Sequence, residues 1–297
     1  MEMMEDDIYE RLLDRLRGMK TAAVGFSGGA DSTFLLMAAK AALGDKVLAL
    51  TAVTPYMERQ EVADALALGT RLRVRHELVE LEMPEGVEGN PPDRCYICKR
   101  ALFGRLLEVA QNAGFGRVLE GSNLDDLGDF RPGMRALREL EIDSPLLACK
   151  ISKADVHRLS ESLGLSTWNK PTNACLLTRL PIGQRVTMED LNRLEEAERF
   201  LRSRGFVCVR VRMHADLARI EVTPEQRRRL LEEAKVIVKT LQRLGFRHVT
   251  LDLLGYRFGS MDPLGAGCDR VAADAASESG GERRDQPQQA GVKVGPS

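Results

Sequence analysis

Short apolar runs alternate with longer stretches of helical spacing over the first part of the chain. Ile8, Leu12, Leu13 and Leu16 predict a helix over residues 8–19. The run Ala23-Val24-Gly25-Phe26 breaks at paired glycines and resumes as Phe34, Leu35, Leu36, Ala38 and Ala39, so it reads as strand, tight turn and helix. Residues 46–53 are almost continuously apolar, the habit of a strand buried on both faces. A helix over 61–72 and a strand over 75–81 follow. After the loop Gly89-Asn90-Pro91-Pro92, Asp93 stands at the start of a helix through Leu102, Leu106 and Leu107. Residues 117–121 predict a fourth strand and 153–163 another helix.

A second pattern begins near Val186. Thr187 and Asp190 are candidate starts for a helix over 191–202, and residues 206–214 then alternate strictly. Val207, Val209, Val211 and Met213 share one face; Cys208, Arg210, Arg212 and His214 share the other. That cationic row is favourable only if water screens it, an anion neutralises it, or Glu221 on the returning strand pairs with it. A turn at Ala215-Asp216, a strand over 218–222, a helix over 224–244 and a strand over 248–254 complete an α-β-β-α-β unit. From Pro263 the chain has almost no large apolar residue and is expected to be disordered. The predicted fold is therefore α/β: a parallel-sheet domain over residues 1–180, a smaller α+β domain over 181–262, and a disordered tail over 263–297.

The glycine turn carries the first candidate chemistry. Gly28 and Gly29 let the backbone approach an anion, the hydroxyls of Ser27 and Ser32 can donate, and the first free N–H groups of the next helix point the same way. Asp31 suits the orientation of a magnesium ion or an attacking group, or a helix cap. No Gly-Lys-Ser/Thr closes the turn, so no lysine is placed to hold β and γ phosphates, and γ-phosphoryl transfer loses ground. Thr51, at the end of the second strand, lies where the adenosine half of a nucleotide would rest. The segment resembles the Ser-Gly-Gly-x-Asp-Ser loop of the ATP pyrophosphatases, the PP-loop family, which activate an oxygen by adenylylation.

Composition narrows the class. A net charge of −1 over 297 residues gives no global field that would recruit nucleic acid or a membrane, so an anionic ligand must meet a local cluster. No apolar run is long enough to span a bilayer and the acidic opening is unlike a secretory signal, so the expected compartment is the cytoplasm. Six cysteines are too few for a disulfide framework, and Cys95-Tyr96-Ile97-Cys98 is a spacing for metal or redox work.

Cys95 and Cys98 fall in the first turn of their helix, on one face, where both sulfurs can converge on a metal; half-buried thiols without function are the competing reading. Asn123, Asp125 and Asp126 crowd the carboxyl end of the fourth strand and could hold magnesium, with Arg131 neutralising a phosphate or carboxylate, or the segment is a solvated acidic loop. Cys175 sits on a loop between Lys170 and Arg179, either as a reactive thiol or as filler beneath the loop. Cys149 reads as core.

Taken together, Ser27 to Ser32, Asn90-Pro91-Pro92-Asp93-Arg94-Cys95-Tyr96-Ile97-Cys98-Lys99, Asn123-x-Asp125-Asp126 with Arg131-Pro132-Gly133, Ala174-Cys175-Leu176-x-x-Arg179 and Tyr256-Arg257-x-Gly259-Ser260-Met261 resemble the LarE family over residues 8–262. These are ATP-dependent sulfur transferases that build the nickel-pincer nucleotide cofactor of lactate racemase-type enzymes. The resemblance implies adenylylation of a pyridinium biscarboxylic acid mononucleotide at the PP-loop, then attack by sulfur with loss of AMP. In one branch the cysteine matching Cys175 gives up its own sulfur; in the other three cysteines hold a 4Fe-4S cluster. Cys95 and Cys98 beside Cys175 favour the cluster branch.

On the same resemblance the nucleotide and Mg2+ would be held by Ser27, Gly28, Gly29, Asp31, Ser32, Thr51, Asn123, Asp125, Asp126 and Arg131. The substrate would be held by Arg179, Arg210 and Arg212, with Asp31 and Cys175 catalytic. A homo-oligomer is implied, in contact with enzymes before and after it in cofactor biosynthesis. A tRNA thiolase and a non-catalytic nucleotide or iron–sulfur carrier are the alternatives, the first disfavoured by near-neutral charge and the lack of a second Cys-x-x-Cys.

Overall fold

The structure, a computed structural model, describes residues 2–128, 132–170 and 174–256. The predicted tail therefore lies outside the described residues. In chain order the first elements are α1 (Glu2–Arg17), β1 (Ala22–Gly25), α2 (Ala30–Leu43), β2 (Val47–Val53), α3 (Arg59–Arg71), β3 (Arg75–Glu80), α4 (Arg94–Asn112), β4 (Val118–Leu119), α5 (Pro132–Glu139), α6 (Pro145–Ala148) and α7 (Lys153–Ser162). The strands form a four-stranded parallel sheet in the order β3-β2-β1-β4.

Alternate residues of the strands face different layers. Ala22, Val24, Val47 and Ala49 pack with α1, α2 and α7 on one face, while Ala23, Leu48 and Leu50 pack with Phe103, Leu106 and Ala110 of α4 on the other. The apolar run at 46–53 is thus a strand covered on both sides, as its composition predicts. The chain adds β2 and β3 on one side of β1 and then crosses to place β4 on the other. A crevice therefore opens at the carboxyl ends of β1 and β4, the usual ligand position in such sheets.

The remaining elements are α8 (Met188–Ser203), β5 (Arg210–His214), β6 (Leu217–Glu221), α9 (Arg227–Glu232), α10 (Ala234–Arg243) and β7 (His248–Leu251). Thr187 caps α8, its hydroxyl accepting the Asp190 N–H. β5 and β6 are antiparallel, and β7 runs parallel to β6.

Three expectations are corrected. The strand expected from 206 begins at Arg210, so Val207 is left 72% exposed while Val209, Val211 and Met213 are buried. The single helix expected over 224–244 is broken at Glu233, whose carboxylate receives Arg204 and Arg229. The last strand stops at Leu251 because the Asp252 carboxylate accepts the N–H groups of Leu254 and Gly255 and turns the chain.

Candidate active site

The turn after β1 is held by its own hydroxyls. The Ser27 N–H donates to Ser32 Oγ at 3.3 Å, the two hydroxyls lie 3.1 Å apart, and the Gly29 N–H reaches Ser27 Oγ at 3.4 Å. Gly28 has φ +71, and a Cβ there would come within 3.1 Å of the Ala65 Cα, so both conformation and space demand glycine. The return after β4 approaches as closely: a Cβ on Gly121 would lie 3.1 Å from the Ser32 nitrogen. Two strand ends thus frame one small cradle at the head of α2, lined by N–H and hydroxyl donors, which suits an anion.

Asn123 links the two sides by donating to Asp31 Oδ1 at 3.0 Å. Burial raises the Asp31 pKa and the neighbouring Asp126 adds to it, against the Asn123 hydrogen bond. Asp125 and Asp126 belong to a short 3-10 turn, Leu124–Gly128. Their carboxylates also hold backbone: Asp126 accepts the Asn123 N–H at 3.0 Å and Asp125 the Lys153 N–H, at the head of α7, at 2.6 Å. Arg131 lies outside the described residues.

Thr51, expected beside the nucleotide, serves the turn from behind. Its hydroxyl donates to the Phe26 carbonyl at 2.5 Å and so accepts from His76 Nε2 at 2.8 Å, which fixes the proton on that nitrogen. Burial lowers the His76 pKa, in keeping with a neutral ring.

Cys175 opens a 3-10 turn, Leu176–Arg179. Tyr56, three residues past β2, joins this turn to the head of α4. Its carbonyl accepts the Leu176 N–H at 2.9 Å and its hydroxyl lies 3.0 Å from the Cys98 sulfur. Cys98, Cys175 and Ile97 pack against the same apolar cluster, and Cys95 is exposed beside them. Burial pushes the Cys175 thiol up to about 11, and Cys95 and Cys98 add smaller contributions in the same direction. Among the described residues no group of three or more His, Cys, Asp or Glu side chains stands ready to hold a metal ion. In kind, three neighbouring thiols are the donor set an iron–sulfur cluster takes.

Arg179, expected at the substrate, is fully buried beneath the Cys175 turn. It donates to Glu198 at 2.9 and 3.0 Å and to Glu58 at 3.1 Å, and it holds the carbonyls of Ala174 and Cys175 at 2.5 and 3.1 Å. Arg202 closes the cluster onto Glu58 and Glu198. Arg210 and Arg212 are buried as well. Arg212 donates to Glu221 at 2.9 Å and to the Thr178 carbonyl at 2.9 Å, so of the three partners weighed for the cationic row, Glu221 is one the structure supplies. Arg210 lies over the Tyr256 ring at 5.2 Å.

Sequence reasoning missed Tyr56, Glu58, His76 and Glu198. Each stands in an unremarkable local pattern, and its role depends on partners more than twenty residues away or on another element. The one local signal was polarity inside an apolar context, as at Glu198 between Ala197 and Leu201.

Comparison with known proteins bears on the same residues. The NAD synthase family matches residues 5–88, the part that holds the glycine turn and the first three strands. An uncharacterized protein of Synechocystis is 40% identical over 263 residues, 86% of this chain and 98% of the relative. The pyridinium-3,5-bisthiocarboxylic acid mononucleotide synthase of Lactiplantibacillus plantarum is 36% identical over 254 residues, 84% of this chain and 92% of the relative. An uncharacterized protein of Methanocaldococcus jannaschii is 31% identical over 238 residues, 80% and 91% respectively.

Proposed function

This chain belongs to the LarE family, and on that premise we propose that it is an ATP-dependent synthase that inserts sulfur into a pyridinium biscarboxylic acid mononucleotide for the nickel-pincer cofactor. The observation that carries the reading is the single construction in which the glycine cradle at the end of β1, through β2 and Tyr56, is tied to the Cys175 turn. A carboxylate oxygen leaves poorly until it is esterified. The substrate carboxylate attacks the α-phosphorus of ATP in the cradle, pyrophosphate departs, and sulfur then attacks the acyl carbon and expels AMP.

The chain's own residues divide these tasks. Ser27, Gly28, Gly29 and Ser32 receive phosphate oxygens, and Asp31, oriented by Asn123 and coupled to Asp126, would meet Mg2+ together with the phosphates, with Asp125 and Asp126 also holding the loop after β4. Thr51 acts by fixing the Phe26 carbonyl behind the cradle. Arg210 and Arg212 meet the substrate's phosphate or remaining carboxylate, while Arg179 positions the Cys175 turn. Cys95, Cys98 and Cys175 would hold a 4Fe-4S cluster, which when bound would supply an iron site for sulfide. The reading carries a cytoplasmic homo-oligomer that works between the enzymes supplying the biscarboxylic acid and consuming the thiocarboxylate.

The test is anaerobic purification with iron and sulfide analysis, then reaction with ATP, Mg2+, substrate and sulfide. Pyrophosphate and AMP released only with substrate, and a product mass shifted by exchange of oxygen for sulfur, are expected. No pyrophosphate on addition of substrate would defeat the adenylylation. An iron-free protein that loses the mass of one sulfur from Cys175 would replace the cluster by the sacrificial route.

A further inference from the structure

The cradle contains no cation of its own. From Ser27 to Ser32 it offers N–H and hydroxyl donors and one carboxylate, Asp31, whereas a triphosphate brings several negative charges and becomes more negative at its far end as the α–β bond breaks. Lys170, 142 residues beyond the glycine, comes to this place: its Nζ donates to the Gly28 carbonyl at 3.2 Å and lies 3.6 Å from Asp64 of α3. Both holds are weak. A neutral carbonyl is a modest partner for an ammonium group, and the carboxylate stands beyond hydrogen-bond distance and is half exposed. Phosphate oxygens would be better partners than either.

We propose that Lys170 is the residue that takes the pyrophosphate end of ATP, leaving Gly28 and Asp64 for the β and γ phosphates. This rests on the adenylylation reading above. As the substrate carboxylate bonds to the α-phosphorus, the bond from that phosphorus to the bridging oxygen breaks and its electron pair passes to pyrophosphate. Lys170 stays protonated throughout and neutralises the charge that develops there. The lysine that a P-loop carries inside its own turn is here delivered from the segment just before Cys175, so the residues that receive the leaving group and those that bring the sulfur share one stretch of chain.

Calorimetric titration of the full chain with ATP, AMP and inorganic pyrophosphate tests this in wild type, K170M, K170R and D64N. K170M is expected to bind ATP and pyrophosphate about tenfold to a hundredfold more weakly, the worth of one charge-assisted hydrogen bond, with AMP affinity changed far less. K170R should recover part of the loss, and D64N should bind ATP at least as well as wild type because it releases the lysine. Equal ATP affinity in wild type and K170M overturns the assignment. So does a parallel loss for ATP and AMP in both K170M and D64N, which would mean that Lys170 only braces the loop. A wild-type protein that binds none of the three ligands would instead remove the adenylylation reading, and the assignment with it.

Discussion

Burial sets the order in which the three thiols react. The thiolate is the reactive form, and Cys95 is exposed while burial raises the pKa of Cys98 and pushes that of Cys175 up to about 11. In metal-free protein at neutral pH, iodoacetamide is expected to label Cys95 first and Cys175 last, with the Cys175 rate climbing toward pH 11; peptide mass mapping reads this. The sign for stability follows. A thiol whose folded pKa is raised contributes stability below its unfolded pKa and loses it as the pH rises through the folded value. Labelling of Cys175 ahead of Cys95 would contradict the burial described.

At the scale of elements, the Glu58, Arg179, Glu198 and Arg202 cluster fastens α3, α8 and the Cys175 turn together. Burial opposes the charge on Glu198, yet Arg179 and the arginines behind it outweigh that and hold its pKa below the usual carboxylate range. Such a group stabilises the fold above its unfolded pKa, and the contribution is lost as the pH falls through the folded value. Glu198→Gln should therefore cost about 3–5 kcal/mol near neutrality, the usual penalty for leaving a buried partner uncompensated, and should flatten the acid limb of urea-unfolding midpoints. An unchanged midpoint would mean the cluster is not what fixes the turn. This cluster was not legible beforehand, because an arginine beside a cysteine reads as a ligand for substrate until its buried glutamates are located. The glycine turn was legible, since its backbone constraint and its donors fall in consecutive residues; the lysine that joins it was not, because nothing local marks it.

For the whole molecule, the two central strands β1 and β2 of the first sheet followed directly from continuous apolar runs and glycine punctuation, whereas the second sheet was read with less accuracy. Its alternation starts four residues ahead of the point where pairing begins, and of the partners weighed for its arginines, Glu221 is one that meets Arg212. The two sheets do not have independent cores. The second core is completed by Tyr56, Val87, Leu176, Leu177 and Leu180, all from the amino-terminal side of the boundary near residue 180. A chain ended at residue 180 would uncover those side chains, and it is expected to bind a hydrophobic dye and to lack the cooperative calorimetric transition of the full chain. A sharp transition in the shortened chain would refute that dependence.

Tyr56 gives the construction its ruler. Its carbonyl and hydroxyl fasten two sulfur-bearing segments at a reach fixed by the two residues, Thr54 and Pro55, that separate it from Val53. One glycine inserted there should leave pyrophosphate release running but strand the activated acid, so that AMP ester accumulates unsulfurated; chromatography of the quenched mixture would reveal it. Timing between the half-reactions would then be a matter of chain length rather than of any moving part.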